Sequence, residues 1–203
     1  MVRRPPSTCI PFMQNCSATR CGANREVDRD VSDCTLPGTR QGLEFLLKGL
    51  WQRGQWFLNY TLTDATYQDD TELFTFANED HIAMVQKGDK ISLVAPHRVN
   101  GGVEFALTPQ WRVRFDGIYV GSQYLRGDDA NERHRLDPYF IANFQTTYQF
   151  RNAQLFFRLE NMFDVDYETY GAFFENTVDN TGVEPFLEPG APLGAFGGVR
   201  IQF

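Results

Sequence analysis

A strict two-residue alternation of apolar and polar side chains recurs along most of this 203-residue chain and limits what it can fold into. In the last stretch, Val199, Ile201 and Phe203 alternate with Arg200 and Gln202. Successive side chains on a strand point to opposite faces, and about 9–11 residues suffice for a tilted strand to cross a bilayer. The pattern therefore predicts a β-strand with lipid on one face and water on the other.

Seven such stretches follow one another from Thr39 onward, each with an apolar set and a polar set of side chains. A helix would scatter the same apolar residues around its circumference, so the alternation favours strands. The predicted strands are 39–51, 55–67, 97–107, 111–124, 139–150, 154–167 and 194–203.

The connections between the predicted strands alternate in length. Short turns are centred on 52–54, 108–110 and 151–153, and long connections rich in Gly, Asp, Asn and Pro are centred on 69–94, 126–138 and 169–193. Antiparallel strands joined in this way have a short-turn end and a long-loop end, as transmembrane barrels do. We therefore predict an all-β fold, an antiparallel transmembrane β-barrel segment of about seven meandering strands.

Aromatic residues mark both ends of these strands. The tryptophans flank short turns, whereas tyrosines lie at the long-loop ends, and such amphipathic rings collect at the two membrane interfaces. Aromatic side chains that cap a soluble β-core are the alternative. The predicted interface girdle consists of Trp51, Trp56, Trp111, Tyr119, Tyr124 and Tyr139.

Composition excludes some classes of function. A mean hydropathy of −0.40 suits a soluble protein, but alternation also lowers the average hydropathy of a membrane barrel. The net charge of −7, without a basic patch, argues against nucleic acid as a partner. No run reaches the length of a membrane helix, and the N-terminus lacks the apolar core of a signal peptide.

Residues 1–38 differ from the rest of the chain because they hold all four cysteines, Cys9, Cys16, Cys21 and Cys34. Their spacing fits no common zinc pattern, which leaves disulfides in an exported loop or no defined role. We expect 1–38 to be an atypical loop or disordered segment and 39–203 to be the barrel portion.

No catalytic or metal-binding constellation stands out. The histidines His81, His97 and His134 are separated in sequence, so we expect neither an enzyme nor a metal or cofactor site. An outer-membrane hydrolase would need a Ser/His/Asp set, which no motif indicates. Acidic clusters in the long connections could bind Ca²⁺, although a solvated loop is their commoner role: Asp69, Asp70, Asp128, Asp129 and Glu132.

Charged residues of the strands are expected to face the barrel interior, because an Arg facing lipid at the midplane costs about 2–4 kcal/mol. There they would line a transport path or, more simply, hold the wall against another domain. They are Arg98, Glu104, Arg112, Arg114, Asp116, Arg158, Glu160 and Arg200.

Several of these segments together resemble the C-terminal part of the barrel of TonB-dependent outer-membrane receptors, over about residues 39–203. The resemblance rests on 119–131 (YVGSQYLRGDDAN), on the Pro96-His97 entry to the third strand, and on the Phe-terminated last strand. The most specific element is Asn-x-Phe-Asp-x-x-Tyr, formed by Asn161, Phe163, Asp164 and Tyr167.

The resemblance implies a barrel of about 22 strands, filled by an N-terminal plug, that imports a scarce nutrient such as a ferric siderophore or cobalamin. The implied partners are outer-membrane lipid, the rest of the barrel, the plug and the inner-membrane energy-coupling complex. The implied location is the outer membrane of a Gram-negative cell. Val199, Ile201 and Phe203 of the last strand would carry the assembly signal.

Seven strands would leave two sheet edges whose unpaired N–H and C=O groups cost several kcal/mol each in lipid. We therefore expect the chain to be the last part of a larger barrel, a fragment without the plug and the energy-coupling segment. The alternatives are an eighth strand supplied by residues 1–38, an assembly of several copies, and a small autonomous β-barrel that binds a ligand.

Overall fold

A computed structural model describes residues 38–75, 77, 81–176 and 182–202. No helix in this part of the chain is long and apolar enough to span a membrane. The strands are, in chain order, β1 (Gly38–Trp51), β2 (Gly54–Tyr67), β3 (Thr71–Phe74), β4 (Ile82–Val85), β5 (His97–Ala106), β6 (Trp111–Val120), β7 (Gln123–Tyr124), β8 (Arg135–Leu136), β9 (Tyr139–Phe150), β10 (Ala153–Glu160), β11 (Glu168–Asn176), β12 (Gly182–Pro189) and β13 (Gly194–Ile201).

Seven of these strands form one sheet in the order β1-β2-β5-β6-β9-β10-β13, and every neighbouring pair is antiparallel. They correspond to the seven strands predicted from the sequence. The strands β1 and β13 are the two edges, so the described residues form an open part of a barrel wall. The fold is all-β, as predicted.

The strand register separates the sheet into two faces, because residues paired across antiparallel strands point to the same side. One cross-strand row, which defines the apolar face, consists of Trp56, Val103, Phe115, Phe144 and Leu159. The adjacent row, which defines the polar face, consists of Glu104, Arg114, Gln145 and Arg158. The face separation predicted for each strand is therefore continued across the sheet.

Two predicted strands end earlier than expected. The fourth stops at Val120, and the residues predicted to prolong it to Tyr124 turn away to form β7. The sixth stops at Glu160 instead of Tyr167, because Asn161 and Asp164 adopt left-handed φ angles of 48° and 51° that a pleated strand does not contain. The apolar residues Phe163 and Val165, expected on that strand, lie beyond it.

The long connections contain secondary structure that was not predicted from the sequence. Each contains a small antiparallel hairpin, β3–β4, β7–β8 or β11–β12. In β4 the buried Ala83 and Val85 alternate with the exposed Ile82 and Met84. All four side chains are apolar, so the strand has no apolar–polar alternation by which it could have been detected.

Candidate functional site

The three long connections pack against one another at one end of the sheet, and we call them the cap (residues 68–96, 121–138 and 161–193, as far as described). One apolar cluster joins all three connections through Ala77, Leu125, Leu136 and Phe173. A second cluster joins the end of β2 to the first connection and consists of Tyr67, Ala83 and Val85. Burial of apolar surface therefore holds the cap together as one body.

The segment Leu125–Asn131 lies at the centre of the cap. Arg126 exchanges backbone hydrogen bonds with the third connection: its N–H donates to the Gly171 carbonyl at 2.9 Å, and its carbonyl accepts from the Phe173 N–H at 3.0 Å. On its other side, the Thr75 hydroxyl of the first connection donates to the Gly127 carbonyl. This segment is the most hydrophilic part of the 119–131 motif, and its role in the fold is to link the three connections.

Two carboxylates and one amide fix the conformation of this segment. Asp128 is 1% exposed, and its carboxylate accepts the backbone N–H groups of Glu132 at 2.9 Å and Arg133 at 3.1 Å. Burial nevertheless raises the pKa of the Asp128 carboxyl above its usual range. The turn is therefore closed by a carboxylate that has been removed from water.

Asp129 and Asn131 tie the same turn to the first connection. The hydroxyls of Tyr67 and Ser92 both donate to Asp129 Oδ1 at 2.9 Å. The Asn131 amide accepts from the Lys90 N–H at 2.6 Å and donates to the Lys90 carbonyl at 2.9 Å. Because these polar groups are already used within the protein, Asp128 and Asp129 of the predicted acidic clusters are structural elements of the cap.

A second network of hydrogen bonds surrounds Asn161, which is 2% exposed, and we call this network the knot. Its Nδ2 donates to the carbonyls of Val165 at 2.9 Å and Ala191 at 3.1 Å, and its Oδ1 accepts from the Val165 N–H at 3.0 Å. Asp164 accepts from the Leu193 N–H at 2.9 Å. The first and fourth residues of the Asn-x-Phe-Asp-x-x-Tyr element thus join the two ends of the third connection.

The last residue of that element, Tyr167, also packs inside the knot. Its ring lies 4.5 Å from the Tyr139 ring, measured between centroids, and covers Gly190 so closely that a Cβ there would overlap it. Gly190 donates its N–H to the Tyr167 carbonyl at 2.7 Å. Phe163, by contrast, is 65% exposed, and Asp164 is exposed as well. The element therefore combines two inward residues, Asn161 and Tyr167, with two exposed ones.

The knot is connected to the polar face of the sheet. The Asn161 N–H donates to Asn143 Oδ1 at 3.0 Å, and Asn143 Nδ2 donates to Asp116 Oδ2 at 3.0 Å. Asp116 also accepts from Arg114 Nε at 2.9 Å. A continuous series of polar contacts thus runs from β6 through β9 to the third connection.

The residues predicted for the interface girdle lie in three environments. Trp51, Trp56, Trp111 and Tyr119 lie on the apolar face, and all four are exposed there. Tyr139 pairs with Val120, which places it on the polar face. Tyr124 lies in the cap, where the Arg135 guanidinium is 4.3 Å from its ring centroid.

Of the predicted assembly signal, Val199 and Ile201 lie in β13 and are 59% and 52% exposed on the apolar face. Phe203 lies outside the described residues, as do the four N-terminal cysteines. Within the described residues, no group of three or more His, Cys, Asp or Glu side chains could hold a metal ion. What the arrangement offers chemically is a preformed surface for binding.

Sequence reasoning missed several residues that build this region, among them Asn143, Thr75 and Gly190. Their partners are remote in sequence: Thr75 and Gly127 are 52 positions apart, and Asn143 and Asn161 are 18 apart. The sequence held only weak signals of their role. Asn143 is one of the polar residues of a strand, and Gly190 follows a hairpin that contains proline. Neither feature identifies a partner.

A family model described as TonB dependent receptor-like, beta-barrel matches residues 31–162. Three solved structures have a similar fold. The ferric yersiniabactin uptake receptor FyuA from Yersinia pestis has a TM-score of 0.64 at 19% identity, over 82% of this chain and 24% of that one. The siderophore receptor PiuA from Acinetobacter baumannii has 0.64 at 15%, over 80% and 21%. The ferric-catecholate import receptor Fiu from K12 E. coli has 0.58 at 17%, over 82% and 22%.

The chain spans about a quarter of the length of these receptors. At such low identities the similarity concerns the fold. No curated protein matches the sequence significantly.

Proposed function

Since the chain belongs to the TonB dependent receptor-like β-barrel family, we propose that it forms the C-terminal wall of an outer-membrane receptor that imports a ferric siderophore or a nutrient of similar scarcity. One observation carries the proposal: the seven-stranded sheet segregates its charges onto one face. A wall between lipid and an aqueous interior requires this partition.

In this proposal the apolar face contacts lipid. Trp51, Trp56 and Trp111 would then lie at the short-turn interface and Tyr119 at the cap-side interface, where amphipathic rings are favoured. The proposed assembly signal is formed by Val199, Ile201 and Phe203 at the end of the chain. The polar face would line the barrel interior.

The cap would be the external surface that meets the ligand first. Its three connections are cross-linked through Leu125–Asn131 and Asn161, which supports a preformed rim whose exposed hairpins contact the ligand. Transport receptors are also the family and the structural neighbours of this chain, which supports transport over catalysis.

The proposed partners follow from the open sheet. The edges of β1 and β13 require further strands, and the chain covers about a quarter of its structural neighbours. Both observations support a larger receptor that also includes a plug and a segment that engages the inner-membrane energy-coupling complex. Its location would be the outer membrane of a Gram-negative cell.

Epitope tags at the two ends of the sheet test this proposal in cells of the source organism. Gly88 lies in the cap with open space around its Cα, and Asn152 lies in the short turn between β9 and β10. The tag at Gly88 should be labelled on intact cells, and the tag at Asn152 only after the outer membrane is permeabilised. Deletion of the gene should reduce uptake of radiolabelled iron supplied as a siderophore complex.

The proposed orientation would be contradicted if both tags were labelled on intact cells. It would also be contradicted if neither tag were labelled until the cells were lysed. If iron uptake were unchanged in the deletion strain while the tags were labelled as expected, the proposed receptor would stand. A siderophore would then be excluded as its ligand.

A further inference from the structure

We infer that the polar face of the seven-stranded sheet binds an acidic polypeptide surface, with Arg112, Arg114 and Arg158 donating hydrogen bonds to its carboxylates. The inference rests on the proposed function, because it takes the polar face as the barrel interior and the occupant as a folded domain seated there. It adds the chemistry of that domain's surface and the residues that recognise it.

The first argument is the charge of this face. The whole chain has a net charge of −7, yet the polar face has seven basic and four acidic side chains, a surplus of three positive charges. On the apolar face the strand register places one charged residue, Asp64, which pairs with Lys90 at 2.6 Å beside the cap. The polar-face residues are Arg40, Lys48, Arg98, Arg112, Arg114, Arg158 and Arg200, and Glu44, Glu104, Asp116 and Glu160.

The second argument is how these charges are presented. Three arginines of this face form ion pairs within the sheet, and in each pair the arginine is more exposed than its acid. The side-chain exposures are 61% and 25% for Arg112 and Glu104, 42% and 24% for Arg114 and Asp116, and 48% and 37% for Arg158 and Glu160. The surface that an occupant meets is therefore guanidinium, with the carboxylates beneath it.

The guanidinium groups also retain donors. Arg112 uses Nη1, Arg114 uses Nε and Arg158 uses Nη2 for its ion pair, whereas a guanidinium has five N–H donors in a planar fork. The fork matches the two oxygens of a carboxylate. Asn143 holds the other oxygen of Asp116 at 3.0 Å, so the Arg114 head group is oriented before any partner arrives.

The spacing favours a polypeptide over a small anion. Arg114 and Arg158 lie in the same cross-strand row with Gln145 between them, which separates their strands by about 10 Å, two strand spacings. Each arginine is held by an acid of its own strand, Asp116 or Glu160, so the two guanidinium groups face separate positions. Separate Asp or Glu side chains on the surface of one domain match these positions better than one small anion does.

Peptide binding tests the inference on the full chain in detergent micelles. The probe is a fluorescent octaglutamate peptide, with octalysine as its charge-reversed counterpart, and the readout is fluorescence anisotropy. Octaglutamate should bind more tightly than octalysine, and added salt should weaken it. The double variant Arg114→Gln with Arg158→Gln should weaken octaglutamate binding about tenfold, because each lost charge-assisted bond removes part of the affinity.

A matched pair of variants controls for net charge. Arg53→Gln with Arg151→Gln removes the same two charges from the short turns, away from the polar face, and should change binding less than about twofold. Arg114→Lys with Arg158→Lys restores the charge on the face and should recover much of the affinity. Recovery would show that binding depends on positive charge at these two positions.

Three results would overturn the inference: no preference for octaglutamate, equal weakening by the two glutamine pairs, or competition by citrate at the same concentration as unlabelled peptide. The last result would make a small anion the occupant. These outcomes are independent of the proposed function, which fails on the tag-labelling experiment. Correct labelling without octaglutamate binding would remove only the acidic partner.

Discussion

Replacing Asn161 by alanine should loosen the third connection of the cap by about 3–5 kcal/mol. The substitution removes the three side-chain hydrogen bonds to Val165 and Ala191. A hydrogen bond contributes about 1 kcal/mol net, so the loss of these bonds amounts to about 2–3 kcal/mol. The φ of 48° adds about 1–2 kcal/mol, because a left-handed conformation is costly for alanine and is tolerated by asparagine.

Hydrogen exchange at the Val165 amide measures this loss directly, because its N–H donates to Asn161 Oδ1. Asn161→Gly is the matched control: it removes the same hydrogen bonds but accommodates the positive φ. It should therefore be more stable than Asn161→Ala by about 1–2 kcal/mol. Asn161→Asp keeps the acceptor for the Val165 N–H but places a buried carboxylate oxygen against the carbonyl oxygens of Val165 and Ala191, so it should protect that amide no better than Asn161→Gly.

A Val165 amide that exchanges at the wild-type rate in Asn161→Ala would refute this account of the knot. Equal stability of the alanine and glycine variants would show that the backbone conformation contributes nothing, and would assign the whole effect to hydrogen bonds.

Three further substitutions test other parts of the structure. Phe157→Arg should destabilise the chain in lipid bilayers by about 2–4 kcal/mol, because it puts a cation on the apolar face. Phe156→Arg, which puts the same cation on the polar face, should cost much less. Urea titration of both variants in bilayers measures the difference. Gly190→Ala should cost about 1–3 kcal/mol and expose the third connection to protease, because its methyl group would overlap the Tyr167 ring. Burial raises the pKa of Asp128, so the folded cap binds this proton more tightly than the unfolded chain does. Stability should therefore rise as pH falls through that raised pKa and fall as pH rises, and Asp128→Asn should remove this dependence in a protease assay across pH.

The sheet was predictable from the sequence because one of its faces carries mainly apolar side chains and the other carries the charged ones. Each strand therefore repeats the same alternation, and the pattern fixes strand number, face and direction without any knowledge of partners. The predicted turn at 52–54 lies within a residue of the observed connection between Trp51 and Gly54. A signal repeated over ten or more residues tolerates single exceptions such as Leu46 and Phe57 on the polar face.

The cap was not predictable in the same way, because its structure depends on contacts between remote residues. Tyr67 and Asp129 are 62 positions apart, and neither position has an unusual local sequence. The strands of the cap are short, and β4 is apolar on both faces. The early end of β10 depends on a left-handed Asn161, which asparagine permits but does not require.

The motifs on which the family resemblance rests therefore stabilise the fold of the cap. Asp128, Asn131 and Asn161 direct their polar atoms to neighbouring backbone, which leaves few of those atoms for a ligand. In the proposed receptor, these residues would serve the stability of the cap whatever ligand is imported. Discrimination between ligands would then fall to the outward residues of the hairpins, such as Phe74 and Met84, which are 68% and 60% exposed. It follows that exchanging hairpin β3–β4 should change which ligand is taken up, whereas changing the Leu125–Asn131 turn should reduce uptake of every ligand alike.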